Sequence, residues 1–369
     1  MKKPILLLLS FLVLTVLSAG FSGSEQPSPV STWQSLFNGK NLRGWGTYLL
    51  PSRAAADQTP IGLNKDPHGV FKVENGMIRV SGQDWGGVFT EQSYGNYHLR
   101  YQVKFGKEKW APRQNAVADG GLLFHCSLPY DYGSKCWMRS IEMQIQETDI
   151  GDYHNVGAGV PQLAFSPAKD DADEVNQYDP LAPLQPTDKR VFRSGNFESA
   201  PDQWTTGELV ARGADAVFIV NGFVVNRLYN IYRADLQEQT TGGQIQFQSE
   251  GAEHFLRNIE LRPVNFVQVG RPKLVSTRQD VKVSEKEIQT LEIQNQGEAV
   301  ELIAAELIGK ELEQFSVKLP AFPLVLKKGE KLKIPVSAKA GSKVGNKVKF
   351  RLETVLGPVP DFAVNLQVQ

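Results

Sequence analysis

The most constraining feature of the sequence is a two-residue alternation of apolar and polar side chains in many short segments. Over residues 97–105 every odd position is aromatic or aliphatic and every even position is polar or charged. This period is typical of β-strands with one buried and one solvated face, and it does not fit a helix. Asn221-Gly222 separates two apolar runs, as in a tight hairpin. The chain is therefore predicted to be all-β.

The composition divides the chain near residue 265. All six Trp, ten Tyr, five His and two Cys lie before that position. The later part alternates in short segments, such as 289–294 and 331–336, but has no residue type suited to catalysis. The pattern predicts one large β-sandwich domain over residues 32–265. A smaller, separately folding Ig-like β-sandwich over residues 267–369 is expected to follow it.

The N-terminus has the layout of an export signal. Lys2 and Lys3 precede an apolar run from Ile5 to Leu17, and small residues follow it. These features predict a signal peptide over residues 1–20. The run is too short to span a bilayer comfortably. We therefore expect a secreted or periplasmic protein with no membrane span in the mature chain.

Charge and cysteine content narrow the possibilities further. Lys+Arg and Asp+Glu both number 40, so the formal net charge is zero. Binding of nucleic acid through bulk positive charge is thereby excluded. The two cysteines, Cys126 and Cys136, are ten residues apart in a chain that we expect to be exported. A disulfide is favoured, and a pair of buried thiols is the alternative.

Three predicted strands carry amides, carboxylates or imidazole on the face opposite their apolar side chains. In the strand around residues 141–145, Glu142 and Gln144 share that polar face. His125 holds the equivalent place upstream, and Gln246 and Gln248 hold it late in the domain. We interpret these faces as one polar groove suited to a polyol, with an ordinary solvated sheet face as the alternative.

Glu142, Gln144 and Glu147 also follow a spacing with chemical meaning. The spacing is that of the E-x-D-x-x-E motif of laminarinase-like glycoside hydrolases. In those enzymes two carboxyls about 5 Å apart cleave the glycosidic bond with retention of the anomeric configuration. Here Gln144 replaces the central Asp. Because an amide cannot share a proton with a nucleophilic carboxylate, ordinary retaining hydrolysis is disfavoured.

Several segments together resemble the secreted 3-keto-disaccharide hydrolase family. They are LFNGKNLRGW (36–45), FKVENGMI (71–78), YGNYHL (94–99), DGGLLFHC (119–126), IEMQIQETDIGD (141–152) and the segment 243–261. The resemblance implies a concanavalin A-like jelly roll, similar to laminarinase-type glucanases. It also implies cleavage of glycosides whose sugar is oxidised at C3. The layout after residue 290 resembles Hydin-type Ig modules of secreted proteins.

The ketone that the resemblance implies changes the chemistry required. It acidifies the C2 proton, so a base can remove that proton and expel the C1 substituent, after which water adds. We predict catalytic roles for His125, Glu142, Gln144 and Glu147. Contacts to the carbohydrate or glycoside substrate are predicted for Trp137, Gln246, Gln248 and His154.

Two further expectations concern a metal and the absence of catalysis. No cofactor is certain from the sequence. A divalent cation, Ca²⁺, Mn²⁺ or Zn²⁺, held by Glu142, Glu147 and Asp149 could polarise the C3 oxygen. The alternative function is a non-catalytic carbohydrate-binding protein that uses the same groove.

Overall fold

The computed structural model describes residues 32–167, 176–264 and 271–369. These residues form β-strands and one 3₁₀ turn, Leu312–Gln314, and they contain no α-helix. The predicted signal peptide, residues 1–20, and the predicted domain boundary, residues 265–267, lie outside the described residues. No helix in the described ranges is long and apolar enough to cross a membrane.

The strands are numbered in chain order. Those of the N-terminal part are β1 Gln34–Ser35, β2 Trp45–Leu50, β3 Gly62–Leu63, β4 Phe71–Glu74, β5 Met77–Val80, β6 Trp85–Thr90, β7 Tyr97–Lys109, β8 Gly121–Ser127, β9 Arg139–Gln144, β10 Tyr153–Val156, β11 Val160–Pro167, β12 Asn176–Tyr178, β13 Leu184–Pro186, β14 Val191–Phe192, β15 Thr205–Arg212, β16 Asp215–Val220, β17 Phe223–Arg233, β18 Glu238–Gln239, β19 Gln244–Ser249 and β20 Ala252–Pro263. Those of the C-terminal part are β21 Leu274–Ser276, β22 Asp280–Val283, β23 Gln289–Asn295, β24 Val300–Leu302, β25 Ala304–Gly309, β26 Phe315–Val317, β27 Leu324–Leu326, β28 Lys331–Ala338, β29 Lys347–Thr354, β30 Gly357–Pro358 and β31 Val364–Val368.

The N-terminal part is built from two antiparallel sheets. The front sheet has the order β3-β2-β6-β19-β8-β9-β10. The back sheet has the order β4-β5-β20-β7-β15-β16-β17. Neighbours distant in sequence, such as β6 and β19, pair in the manner of a jelly roll. The predicted all-β jelly-roll sandwich is confirmed.

The core of the sandwich lies between the two sheets. From the front sheet, Phe124, Ile141 and Phe247 enter it, and Leu99 and Phe218 enter it from the back sheet. Each of these residues is at the apolar position of an alternating strand. Because alternation sends the intervening side chains to the outer face, the front sheet presents Glu142, Gln144, Gln246 and Gln248 outward.

The C-terminal part forms a second β-structure with its own core. One sheet has the order β22-β31-β29-β25, and another has the order β21-β23-β28-β26. Val281, Phe350 and Leu366 from the first sheet and Ile293 and Ile334 from the second share one buried cluster. The assignment of this region to the Ig-like class stays a prediction. We call residues 271–369 the C-terminal module.

The C-terminal module packs against the outer face of the back sheet, a contact that the sequence did not predict. Val217, Ile219 and Val224 of the back sheet form one buried cluster with Ile303 and Ala304 of the module. Strand β17 also pairs with β25 at a single position, between Phe223 and Ala305.

A buried ion pair adds to this contact. The Arg227 guanidinium donates to the Glu353 carboxylate at 2.6 Å, and both side chains are buried. These contacts all involve the back sheet, so the outer face of the front sheet takes no part in them.

Candidate active site

The outer face of β9 carries the centre of the candidate site. Ile141 and Met143 enter the core, so Glu142 and Gln144 point away from it. The β-sheet register places Glu142 directly opposite His154 of β10 on one side and Leu123 of β8 on the other. His154 and Glu142 thus share one face of the sheet.

Gly121 on β8 leaves room for two functional side chains. A Cβ atom at this position would lie 2.3 Å from Oε1 of Glu142 and 2.3 Å from Oε1 of Gln248. The Glu142 carboxyl and the Gln248 amide therefore meet above the Gly121 backbone. Gly87 on β6 likewise leaves room for the Gln246 side chain, because a Cβ atom added at Gly87 would lie 2.4 Å from Nε2 of Gln246.

Two further carboxyls belong to the site, and one arginine joins them. Asp119 lies two residues before β8, and Glu250 immediately follows β19. Arg113 forms an ion pair with Asp119 at 2.5 Å and approaches Glu250 at 3.8 Å. Because Glu250 interacts electrostatically with both Asp119 and Glu142, the three carboxyls form one acidic cluster. We call Asp119, Glu142 and Glu250 the carboxyl cluster.

Burial raises the pKa of each member of the carboxyl cluster, and a neighbouring acidic group adds to the rise in each case. Burial raises the pKa of Glu142 to about 8, and the Asp119 charge adds to the effect. Burial raises the pKa of Asp119 to about 6, and the Arg113 charge opposes the rise. The pKa of Glu250 is also raised, by burial and by its two acidic neighbours. At pH 7 Glu142 therefore retains its proton while Asp119 has largely lost its own.

The histidine beside Glu142 is kept neutral. Burial lowers the pKa of His154 to about 4, and the nearby Arg190 charge lowers it further. Across the strand pair, a neutral imidazole and a protonated carboxyl thus stand side by side. A proton donor and groups able to accept a proton therefore lie on the same sheet face. General acid–base catalysis requires such a pair of groups.

Several buried polar atoms on or beside this face have no hydrogen-bond partner in the described part of the chain. The Gln248 amide interacts with the Glu142 carboxyl without forming a hydrogen bond of normal geometry. The other atoms are Nε1 of Trp85, Nε2 of Gln246, Nε2 of His154 and Nε of Arg113. Because buried polar groups ordinarily pair, this set matches a ligand rich in hydroxyl groups.

An aromatic cluster covers the other half of the front face. Trp85 and Trp137 stack at 5.9 Å, and Tyr130 stacks on Tyr48 at 5.8 Å. Arg53 lies over the Trp85 ring and donates to the Ser134 carbonyl oxygen. Trp137 is 8% exposed and donates its Nε1 hydrogen to the Gly86 carbonyl oxygen. Trp137 is therefore packed within a cluster, and its predicted role in stacking on a sugar ring has no support from its position.

His125 does not join the site, and its predicted place on the polar face is wrong. Its φ of +53° and the register shift after Phe124 turn the side chain towards the back sheet. There Nε2 lies 3.1 Å from the Gly213 carbonyl oxygen, so Nε2 carries the hydrogen. Burial lowers the pKa of His125 to about 4. The expected alternation failed because a β-bulge reverses the facing of the residues that follow it.

The predicted disulfide is also wrong, because Cys126 and Cys136 are both buried free thiols. The same bulge that turns His125 inward brings Cys126 to the front face, into the aromatic cluster with Cys136. Burial raises the pKa of the Cys136 thiol to about 12, although Arg53 lies 3.5 Å from its sulfur. Both thiols thus act as small apolar side chains, which was the alternative.

The predicted metal ligands Glu142, Glu147 and Asp149 do not converge. The carboxylate of Asp149 forms ion pairs with Arg190 at 3.3 Å and Arg193 at 2.9 Å. Glu147 lies near the Ala118 backbone. Within the described ranges, no group of three or more His, Cys, Asp or Glu residues could hold a metal ion. The residues therefore do not fit the predicted cation.

The sequence reasoning missed Asp119, Glu250 and Arg113. Asp119 and Glu250 each flank a polar strand and precede glycine, in segments already quoted for the family resemblance. That position was the available signal. Arg113 lies in a loop between β7 and β8, and nothing in its sequence context indicates its contact with two carboxylates.

The fold and this site together define a carbohydrate-active protein, in which acidic and amide side chains lie on the outer face of a jelly-roll sheet. The profile of the 3-keto-alpha-glucoside-1,2-lyase-like domain matches residues 32–262, and the chain belongs to that family. No curated protein matches the sequence.

Solved structures that are similar to the chain include two bacterial proteins. A candidate glycosyl hydrolase from Parabacteroides distasonis is 16% identical, with 63% of this chain and 94% of that chain covered and a TM-score of 0.38. The carbohydrate-binding module CBM66 from Bacillus subtilis is 8% identical, with 59% and 95% covered and a TM-score of 0.32.

Proposed function

We propose that the protein is an exported enzyme that cleaves the glycosidic bond of 3-keto-glycosides by elimination followed by hydration. One observation carries this proposal. On the front face, Glu142 keeps its proton at neutral pH and interacts with Asp119, which has lost its proton. An acid and a base held at different pKa values within one cluster are what such an elimination needs.

The proposed reaction begins with removal of the proton at C2, which the neighbouring C3 ketone acidifies. Asp119 takes that proton, and the C2–H electron pair forms a C1=C2 double bond as the bond from C1 to the glycosidic oxygen breaks. Glu142 gives its proton to the departing oxygen. Water then adds, with its hydroxyl going to C1 and the proton on Asp119 returning to C2. Its second proton restores Glu142, so both groups end as they began.

The remaining polar groups would orient the sugar. Gln246, Gln248 and His154 offer buried donors and acceptors to the ring hydroxyls. The nearby Arg113 and Arg190 offer positive charge for the oxygen at C3, where negative charge develops in the transition state.

The test is cleavage of methyl 3-keto-glucoside, whose alkoxide leaving group needs a proton, with the unoxidised methyl glucoside as the comparison substrate. Glu142→Gln and Asp119→Asn should each lower kcat by about 10²-fold or more, because each removes one proton-transfer group. Glu260→Gln is the matched control, since Glu260 lies on the back sheet and pairs with Arg100. No turnover of the keto-glucoside by the unmodified protein, or near-normal turnover in both variants, would overturn the proposal.

The unpartnered Nε2 atom of Gln246 favours one second candidate, a carbohydrate-binding protein without turnover. Binding of the keto-glucoside by calorimetry, together with no product over long incubation, would identify that function. Gln248→Leu should weaken binding in either case, because it removes polar contacts without adding bulk.

A further inference from the structure

A second polar surface lies on the C-terminal module, and it shares no residue with the candidate active site. A cavity of about 780 Å³ opens on the outer face of the sheet formed by β22, β31 and β29. Its lining includes four cationic side chains, three side-chain amides from within strands and one aspartate. These are Arg278, Lys282, Lys347, Lys349, Gln289, Asn365, Gln367 and Asp280.

The strand register arranges these side chains in ordered rows. Lys282, Gln367 and Lys347 pair across the three strands, so one amide lies between two ammonium groups. The neighbouring row consists of Asp280, Asn365 and Lys349. Because adjacent strands are about 4.8 Å apart, the Cα atoms of Lys282 and Lys347, at the two ends of the first row, are separated by about 10 Å.

The positive charge of this face is not neutralised within the molecule. In the described ranges, Lys282, Lys347 and Lys349 form no ion pair, and Arg278 contacts only the neutral oxygens of Gln289 and Thr290. The single carboxylate, Asp280, accepts a hydrogen bond from Asn365 at 2.9 Å. The chain as a whole has zero formal net charge, so this face is a local concentration of cations.

We infer that this face binds an acidic polysaccharide, a glycan chain that carries carboxylates at intervals. The ammonium groups would pair with the carboxylates, and the central amides would bond to ring hydroxyls between them. No aromatic side chain lines the cavity, so stacking of nucleic-acid bases has no platform there. A sugar polymer is also the ligand class that suits a module attached to a carbohydrate-active domain.

The position of the face within the module supports independent use of the two sites. Along β29, Glu353 is buried in the contact with Arg227 of the back sheet, and Lys349 and Lys347 lie nearer the start of the strand on the same side. The cationic face thus begins where the contact with the sandwich ends, and it stays exposed when the module is docked. Binding there leaves the front sheet free.

The experiment measures binding of the full chain to polygalacturonate at low and high ionic strength, with neutral dextran and double-stranded DNA as comparison ligands. Lys282→Gln, Lys347→Gln and Lys349→Gln are combined in one variant. The expected result is binding to polygalacturonate but not to dextran, weakened by salt. The affinity should fall by about tenfold or more in the variant, since three exposed ion pairs are lost.

The matched control combines Lys318→Gln, Lys331→Gln and Lys339→Gln, exposed lysines of the module that do not line the cavity. It changes the net charge equally and should leave the affinity unchanged. Equal losses in both variants, equal affinity for DNA and polygalacturonate, or no binding to polygalacturonate would each overturn the inference. Turnover of the keto-glucoside should be the same in all three proteins, so this outcome is independent of the proposed function.

Discussion

The backbone of His125 decides which side chains reach the front face. Its φ of +53° is in the left-handed region, which few residues other than glycine and asparagine adopt. With a regular strand at this position, the imidazole would lie beside Glu142. Instead it contacts Gly213 on the back sheet, and Cys126 takes the outward position. In the proposed reaction, proton transfer is therefore left to Asp119 and Glu142, and His154 lies opposite Glu142 on β10.

This position leads to a prediction for His125→Asn. Asparagine tolerates the left-handed conformation, so the bulge should be retained. Turnover of the keto-glucoside should stay within about twofold of the unmodified protein, because the side chain touches no group of the carboxyl cluster. Steady-state kinetics check this, and circular dichroism controls for folding. A hundredfold loss with the fold intact would return His125 to the site.

The pKa values of the carboxyl cluster predict a bell-shaped pH profile. The base Asp119 loses activity as it gains its proton below about pH 6, and the acid Glu142 loses activity as it releases its proton above about pH 8. The profile of kcat/KM should therefore have a maximum near pH 7. Asp119→Asn should remove the acidic limb from the residual activity, and Glu142→Gln should remove the basic limb. A flat profile between pH 5 and 9 would contradict the assignment.

The same raised pKa of Glu142 has a stability consequence with a defined sign. A carboxyl whose pKa is higher in the folded state than in the unfolded state favours folding while it is protonated. That contribution is full below the unfolded pKa, which is about 4.3 for glutamate. It is lost as the pH rises through about 8. Glu142→Gln should therefore flatten the fall in thermal midpoint between about pH 5 and about pH 8, the interval between the unfolded and folded pKa values.

At the level of strands, alternation predicted most of the fold and half of the site. The outward facing of Glu142, Gln144, Gln246 and Gln248 follows from a period of two and is observed. What alternation cannot predict is an inserted residue, because one bulge reverses every later side chain. It also says nothing of loops, so Arg113 and Arg53, which reach the front face from connecting segments, could not be inferred.

The meeting of β8, β9 and β19 predicts the effect of Gly121→Ala. The added Cβ would lie 2.3 Å from the Oε1 atoms of both Glu142 and Gln248, so both flexible side chains must move. We expect turnover to fall by about tenfold or more with an unchanged fold, because small displacements of catalytic groups are costly. Gly95→Ala is the control, since its nearest neighbour would lie at 3.4 Å. Equal kinetics in the two variants would show that the close approach does not matter.

At the level of the whole molecule, the two parts of the chain share buried surface. Val217, Ile219 and Val224 form one buried cluster with Ile303 and Ala304 of the C-terminal module. Arg227 and Glu353 form a buried pair across the same contact. The separately folding module expected from the sequence is thus joined to the sandwich by an apolar and ionic interface. Composition could not reveal it, because the strands of this interface alternate like any other.

The interface predicts a cost of truncation. A fragment of residues 32–264 should fold, but its thermal midpoint should lie roughly 10 °C below that of the full chain, since about 3 kcal/mol of apolar burial is lost. Val217→Thr with Ile219→Thr should improve the solubility of the fragment without restoring its midpoint. Differential scanning calorimetry checks both statements. An unchanged midpoint would mean that the contact contributes nothing to stability.

The placement of the module behind the sandwich has a practical consequence. A protein attached to a solid support through Lys282, Lys347 and Lys349 would be held by the module, and no residue of the front sheet would take part in the attachment. Attachment chemistry directed at amines on that face should therefore preserve specific activity. In a packed column made in this way, flow would carry the substrate past the immobilised protein. The rate of product formation would then depend on mass transfer of small soluble sugars to the exposed face.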